Sequence, residues 1–137
     1  MEPNQSSQTS LSNVRILIAE DDPEMRAWLS DVLEPAHCEI QEAGSGWDLL
    51  DTVARQGPFS VIVTDVRMPG PSGLQVVELA RGAGLETPFL VITAFPDEEV
   101  RAEAARFGHV VLLEKPFARN DFVEAILQLL VQYQQER

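Results

Sequence analysis

The chain has 137 residues and a formal net charge of −12 from 22 acidic and 10 basic residues, which allows one domain and argues against binding nucleic acid or an anionic membrane through bulk charge. Its one cysteine, Cys38, excludes an internal disulfide, no Cys/His cluster has the spacing of a zinc site, and no apolar run approaches the roughly 20 residues of a membrane span. These features favour the reducing cytoplasm and no membrane insertion.

The first third of the chain predicts a tail, a strand, a helix and a second strand. Residues 1–13 are polar and rich in Ser and Gln, and we expect a flexible tail ahead of one domain over residues 14–137. Residues 14–19 (VRILIA) predict the first strand, which ends in Glu20-Asp21-Asp22. Asp22 is the predicted N-cap of a helix that begins at Pro23. Residues 38–43 alternate between apolar and polar, which is typical of an edge strand.

The middle of the chain leads to one aspartate on the tip of an apolar strand. Residues 47–56 predict a second helix with Leu50, Val53 and Ala54 facing inward. Residues 60–64 predict a third, buried strand that delivers Asp65 into a segment rich in Pro and Gly. A buried strand that ends in a carboxylate and then turns is suited to presenting that carboxylate.

The last part of the chain continues the alternation of helices and strands. The predicted elements are a helix, a strand, a helix, a strand and a helix, over residues 74–81, 88–93, 96–107, 110–113 and from about 120 onward. Gly108 is the predicted C-cap of the fourth helix. Thr93 ends the fourth strand, and Lys115-Pro116 follows the fifth.

Five strands that alternate with five helices predict an α/β fold with a doubly wound, five-stranded parallel sheet of the flavodoxin-like type, covered by helices on both faces. Right-handed crossovers and an edge-like second strand favour the strand order 2-1-3-4-5. Sheets of this kind bind ligands beyond the carboxyl ends of their strands, at the switch point between strands 1 and 3.

The polar residues gather at that end of the predicted sheet. Glu20 and Asp21 follow the first strand, Asp65 the third, Thr93 the fourth and Lys115 the fifth. Neighbouring carboxylates repel one another, and a bound Mg²⁺ relieves the repulsion because it prefers oxygen ligands. An aspartate beside such an ion is a known nucleophile for phosphoryl groups.

The chain resembles the response-regulator receiver domains of two-component signalling, and it is similar to single-domain regulators of the chemotaxis type, over roughly residues 14–133. The segments that carry the resemblance are ILIAEDDPEMR, VIVTDVRMPGPSG, VITAF and LLEKPF. Each segment alone is weak evidence, but the four occur in order and each lies at the end of an apolar strand.

The resemblance implies a magnesium site next to a phosphorylated aspartate. Asp65 matches the phosphoacceptor, and Glu20 and Asp21 match the acidic pair of the family. By this resemblance Mg²⁺ is bound directly by Asp21, by Asp65 and by the backbone carbonyl of Arg67, while Glu20 acts mainly through water.

The resemblance also assigns the residues that contact the phosphoryl group. Thr93 matches the hydroxyl that hydrogen-bonds a phosphoryl oxygen, and Lys115 matches the lysine that pairs with the phosphoryl group through a loop with a cis Lys115–Pro116 peptide. Thr93 is also the first half of the family's switch pair. The other half, usually aromatic, is Leu112 in this chain, which has no ring to rotate between exposed and buried positions.

The predicted function is a phosphorylation-dependent switch that changes the binding of a downstream protein. A histidine kinase or a phosphotransfer domain donates the phosphoryl group to Asp65. The domain catalyses only its own phosphotransfer and autodephosphorylation, makes no direct contact with nucleic acid, and is compatible with a homodimer. We also expect the cationic side chain of Arg67 to arch near the phosphoryl group and to alter the lifetime of the aspartyl phosphate.

Two alternatives stay open at this point. One is an interaction module of the same shape that is not phosphorylated, for which Leu112 is the only support. The other is a phosphohydrolase of the haloacid dehalogenase type, which needs a second acid two residues after the nucleophile, where this chain has Arg67. His37 and His109 have no assigned role.

Overall fold

The computed structural model describes residue 11 and residues 13–136, and strands alternate with helices throughout this part of the chain. The strands are β1 (Arg15–Ala19), β2 (Glu39–Ala43), β3 (Val61–Asp65), β4 (Phe89–Thr93) and β5 (Val110–Glu114). The helices are α1 (Pro23–Leu33), α2 (Gly46–Gln56), α3 (Gly73–Gly82), α4 (Glu98–Ala105) and α5 (Arg119–Glu136). A short 3₁₀ turn, Glu34–Ala36, follows α1.

The strands form one parallel sheet in the order β2-β1-β3-β4-β5, which confirms the predicted fold class and strand order. All residues of β3 and β4 are buried, as their continuous apolar runs predict. The second strand lies at an edge and exposes two of its five residues, in agreement with its alternating sequence. In this order β1 and β3 are neighbours, so their carboxyl ends meet at the switch point.

The hydrophobic core has one part on each side of the sheet. One part lies beneath α1 and α5 and includes Leu29 and Phe122. The other lies beneath α2, α3 and α4, and Leu112 packs against it as a half-buried side chain. No helix in the described part of the chain is long and apolar enough to cross a membrane.

Most of the predicted tail falls outside the described residues, since residues 1–10 and 12 are not described. Leu11 is an exception. Its side chain is only 4% exposed within the part of the core that lies beneath α1 and α5, and its carbonyl accepts a hydrogen bond of 3.2 Å from the Val14 amide. The packed domain therefore includes residue 11, three positions before the predicted boundary.

Two helix details differ from the sequence predictions. In α2 the fully buried positions after Gly46 are Leu49 and Thr52. The predicted inward residues Leu50 and Val53 are half-buried and pack against the core, whereas Ala54 is exposed. At the start of the helix the Gly46 amide donates to the Pro69 carbonyl at 2.9 Å.

The second difference is the end of α4, which stops at Ala105 with Arg106 as its C-cap instead of reaching Gly108. Nearby it is His109, with φ 59°, that adopts the left-handed conformation.

The predicted N-cap of α1 is confirmed, because the Asp22 side chain accepts a hydrogen bond of 3.0 Å from the Glu24 amide.

Candidate functional site

A lysine and two carboxylates meet where β1, β3 and β5 end. Lys115 Nζ lies 2.5 Å from Asp65 Oδ2 and 3.6 Å from Glu20 Oε1. The side chains of Glu20 and Asp65 are only 3% and 10% exposed. A single ammonium therefore faces two largely buried carboxylates, as expected from the sequence.

The buried carboxyl group of Glu20 lies in an unfavourable electrostatic environment. Its Oε2 atom accepts a hydrogen bond of 3.1 Å from the Asp22 amide, but its buried Oε1 atom has no hydrogen-bond partner. Burial, together with the nearby negative charge of Asp65, raises the pKa of Glu20 from 4.5 to about 7, although the Asp22 amide and Lys115 oppose the shift. The Asp22 amide and Lys115 therefore do not fully compensate for the cost of ionising this buried carboxyl group at neutral pH.

Lys115 is the only lysine in the chain. Burial of its ammonium lowers its pKa, but the hydrogen bond and charge of Asp65, with a smaller contribution from Glu20, outweigh burial and raise the pKa above its ordinary value. Lys115 is therefore firmly protonated, and it provides the positive charge of the site.

The local backbone explains why these side chains converge. The Lys115 amide donates to the Thr93 carbonyl at 2.9 Å, which ties the residue after β5 to the end of β4. The Lys115–Pro116 peptide is cis, as the family resemblance implies, and Gly57–Pro58 is also cis. On the other side, the Glu20 amide donates to the Ala43 carbonyl at 3.0 Å and holds Glu20 beside the end of β2.

Thr93 lies at the same end of the sheet, at the tip of β4, and is 5% exposed. Its Oγ1 atom accepts a hydrogen bond of 3.1 Å from the Phe95 amide. In this state the hydroxyl oxygen orders the first residues of the segment between β4 and α4. Phe95 itself is 70% exposed, so the hydroxyl is attached to a segment that carries an uncovered aromatic side chain.

The acidic residues differ in exposure, which the run Glu20-Asp21-Asp22 does not reveal by itself. Glu20 is buried, whereas Asp21 is exposed. Arg67 is also exposed, and its amide donates to Asp65 Oδ1 at 3.1 Å, so its backbone lies beside the Asp65 carboxylate. The position of the Arg67 side chain near a phosphoryl group stays a prediction.

Within residues 11 and 13–136, no three acidic, histidine or cysteine side chains form a ready-made metal cluster. The oxygens present nevertheless fit a hard cation. Glu20 Oε1, which has no hydrogen-bond partner, and the Asp65 carboxylate are oxygen ligands that share one ammonium, and Mg²⁺ in proteins is held by one or two carboxylates while it keeps several waters.

Arg26 and Trp47 contribute to the surroundings of the site in ways that sequence inspection missed. Arg26 Nη1 donates to the backbone carbonyl of Glu20 at 2.6 Å, and Arg26 Nε lies 3.3 Å from Glu42 Oε1. Arg26 therefore connects the residue after β1 to β2. Trp47 packs on Gly70 in the segment after Asp65. Arg26 lies in the segment ILIAEDDPEMR, which carries the family resemblance, and this position is a sequence signal for its role. The Trp47 contact has no such signal because it depends on tertiary structure.

Comparison with known proteins gives a consistent result. A family model for the response regulator receiver domain matches residues 16–127. The response regulator protein FleR of Pseudomonas aeruginosa is 34% identical over 112 residues, which are 82% of this chain and 24% of FleR. The response regulator MprA of Mycobacterium tuberculosis is 34% identical over 118 residues, which are 86% of this chain and 51% of MprA. The chain thus spans about a quarter of the length of FleR and about half of the length of MprA.

Among solved structures, the chemotaxis response regulator CheY4 of Vibrio cholerae matches with a TM-score of 0.77 at 28% identity, over 86% of this chain and 99% of that chain. The receiver domain of Francisella response regulator 1452 has a TM-score of 0.80 at 23% identity, over 88% of this chain and 99% of that chain, which supports the fold. Since the family model covers most of its length, the chain belongs to the response regulator receiver domain family.

Proposed function

We propose that this receiver domain is a signalling switch in which Asp65 accepts a phosphoryl group from the phosphohistidine of a histidine kinase or phosphotransfer domain. The observation that carries the proposal is the contact of 2.5 Å between Lys115 Nζ and Asp65 Oδ2, beside the buried carboxylate of Glu20. A carboxylate presented at a strand tip and paired with a cation is suited to nucleophilic attack on a phosphoryl group.

The chemistry of the proposed step is simple. A carboxylate oxygen of Asp65 forms a bond to phosphorus while the bond from phosphorus to the donor's imidazole nitrogen breaks, and the imidazole leaves with the electron pair and gains a proton. The product is a mixed anhydride on Asp65. The switch is turned off by hydrolysis. Water attacks phosphorus, the bond between phosphorus and the Asp65 oxygen breaks, and inorganic phosphate leaves.

Each residue of the site has a proposed role in this step. Asp21, Asp65 and the backbone carbonyl of Arg67 would hold Mg²⁺, with Glu20 acting through water. When bound, Mg²⁺ supplies positive charge to the carboxylates and to the phosphoryl oxygens. Lys115 moves its hydrogen bond from Asp65 to a phosphoryl oxygen, because the new group carries more negative charge than the carboxylate it replaces.

Thr93 connects the phosphoryl group to the surface. If the Thr93 side chain rotates so that its hydroxyl donates a hydrogen bond to a phosphoryl oxygen, Oγ1 moves away from the Phe95 amide, which then loses its present acceptor. The segment between β4 and α4, with its exposed Phe95, would then rearrange and alter the binding of a downstream protein. Leu112 has no aromatic ring to follow this movement, so the change at Phe95 is the main proposed output.

Acetyl phosphate and Mg²⁺ provide the direct test. We expect intact-mass spectrometry of the native protein to show a labile adduct of one phosphoryl group, and we expect no adduct with Asp65→Asn. A folded native protein that binds Mg²⁺ but forms no adduct would favour the unphosphorylated interaction module. Rapid multiple-turnover release of phosphate from organic phosphomonoesters would favour the hydrolase.

The Arg67 side chain is expected to lengthen the lifetime of the aspartyl phosphate. A guanidinium over the phosphoryl group would sterically hinder the approach of water, so Arg67→Ala should lose phosphate several-fold faster than the native protein. The rate is measured by intact mass after the phosphodonor is removed. Exposed Arg101 on α4 offers a matched control as Arg101→Ala. Equal rates for Arg67→Ala and native protein would contradict this role.

A further inference from the structure

An apolar groove of about 460 Å³ lies between α2 and α3, and none of the side chains that line it has a role in the proposed phosphoryl chemistry. Its apolar lining includes Trp47 and Leu50 from α2, Pro71 from the segment after Asp65, and Leu79 from α3. Trp47 is 66% exposed and Leu79 is 53% exposed. Large apolar side chains grouped in this way on a surface mark a site of interaction.

The groove is held in position by close backbone contacts. Gly70 has φ +85°, and a Cβ atom there would lie 2.5 Å from Cδ1 of Trp47, so the indole ring lies directly against the backbone of this glycine. At the start of α2 a Cβ atom on Gly46 would lie 1.9 Å from the carbonyl oxygen of Pro71. The indole thus packs on backbone before any partner binds, and a side chain with fewer available positions loses less entropy on binding.

The one charged residue among those that line the groove is Glu78, and its charge is negative. Among the basic residues on the two helices, Arg55 is paired with Asp51 at 2.7 Å. The guanidinium of Arg81 donates to backbone carbonyls of Leu85 and Gly108, which directs it toward the segment before β5. The net charge of the whole chain, −12, has the same sign.

We propose that this groove is a docking surface for a basic amphipathic helix of another protein. Trp47 and Leu50 are three residues apart on α2, and Gln75 and Leu79 are four residues apart on α3, so each helix presents a ridge to the groove between them. A third helix packs between two such ridges with its apolar side chains over Trp47, while its basic side chains face Glu78.

Charge decides between a foreign partner and a second copy of this chain. Two copies that met through this face would bring together the Glu78 carboxylates of two chains that each carry a net charge of −12, and like charges across an interface disfavour association. A basic partner gains from the same charges. The proposal does not depend on phosphorylation of Asp65, so it and the proposed function can fail separately.

A synthetic peptide provides the probe. It is an 18-residue helix of Leu and Lys, with Leu at intervals of three and four residues, and its counterpart has Glu in place of Lys. We expect saturable one-to-one binding of the Lys peptide by titration calorimetry and a change in Trp47 fluorescence in a Trp28→Phe background. We expect no binding of the Glu peptide. Equal binding of both peptides would overturn the charge argument.

Variants locate the binding on the surface. Trp47→Ala is expected to weaken binding of the Lys peptide about 30-fold, as for a central aromatic anchor, and Leu79→Ser to weaken it as well. Val131→Ser on α5 is the control, because Val131 is 51% exposed outside the groove. Circular dichroism and thermal unfolding establish that each variant is folded.

Two outcomes would overturn the proposal. The first is unchanged affinity in folded Trp47→Ala and Leu79→Ser, which would place the peptide elsewhere on the acidic surface. The second is a concentration-dependent dimer of the native protein that Trp47→Ala abolishes, because this result would assign the groove to a second copy of the chain.

Discussion

Lys115→Met is expected to form the phosphoryl adduct on Asp65 about 100-fold more slowly than the native protein, since a preorganised positive charge is removed from the place where negative charge develops. In the native site Lys115 Nζ is 2.5 Å from Asp65 Oδ2 and is held there by the hydrogen bond from its own amide to Thr93. Methionine keeps the length of the side chain but carries no charge. The measurement is a time course of intact mass with acetyl phosphate and Mg²⁺.

Lys115→Arg is the matched control, because it keeps the charge but presents it in a different shape. We expect it to be phosphorylated faster than Lys115→Met and more slowly than the native protein. A folded Lys115→Met protein that is phosphorylated at the native rate would contradict the proposed role of this residue.

The single lysine also allows a direct test of its electrostatic surroundings. Reductive methylation with ¹³C-formaldehyde labels Lys115 and, apart from it, only the terminal amine. Since Asp65 is the main cause that raises the pKa of Lys115, we expect the labelled side chain to titrate at a lower pH in Asp65→Asn than in the native protein. Identical titration curves would show that the contact with Asp65 is not formed in solution.

Much of the fold was predictable, for reasons that particular segments illustrate. The run at residues 60–64 is apolar without interruption and is followed by Pro and Gly, which distinguishes a central parallel strand from an amphipathic helix. Once the strand order was inferred, the carboxyl ends of the strands had to meet, so the proximity of Asp65 and Lys115 followed from topology. These predictions depend on patterns that repeat over several residues.

Features that depend on one tertiary contact were not predictable. Helical periodicity did not indicate that the Gly46 amide, at the start of α2, donates to the Pro69 carbonyl. The run Glu20-Asp21-Asp22 contains no indication of which carboxylate is buried. Leu11 looks like part of a polar tail, yet its side chain fills a position in the core. In each case the deciding partner lies elsewhere in the chain.

The second large effect concerns Glu20 and the stability of the domain. Its pKa of about 7 lies above the value of 4.5 for an unperturbed carboxyl group, so the folded protein binds more protons than the unfolded chain between these pH values. The free energy of unfolding therefore falls as pH rises from about 4.5 to 7, and the loss attributable to Glu20 is about 3 kcal/mol. Glu20→Gln resembles the protonated side chain and lacks this dependence.

The difference in the free energy of unfolding between Glu20→Gln and the native protein separates the contribution of Glu20 from that of all other carboxylates. In EDTA we expect the two proteins to unfold at similar urea concentrations near pH 5, and we expect the variant to be more stable by up to about 3 kcal/mol at pH 8. Magnesium should stabilise the native protein at pH 8 more than the variant, because a bound cation offsets the buried charge that the variant lacks. Parallel stability profiles across this pH range would show that Glu20 titrates as an ordinary carboxyl group, and the argument for a cation beside Asp65 would then lose its main electrostatic support.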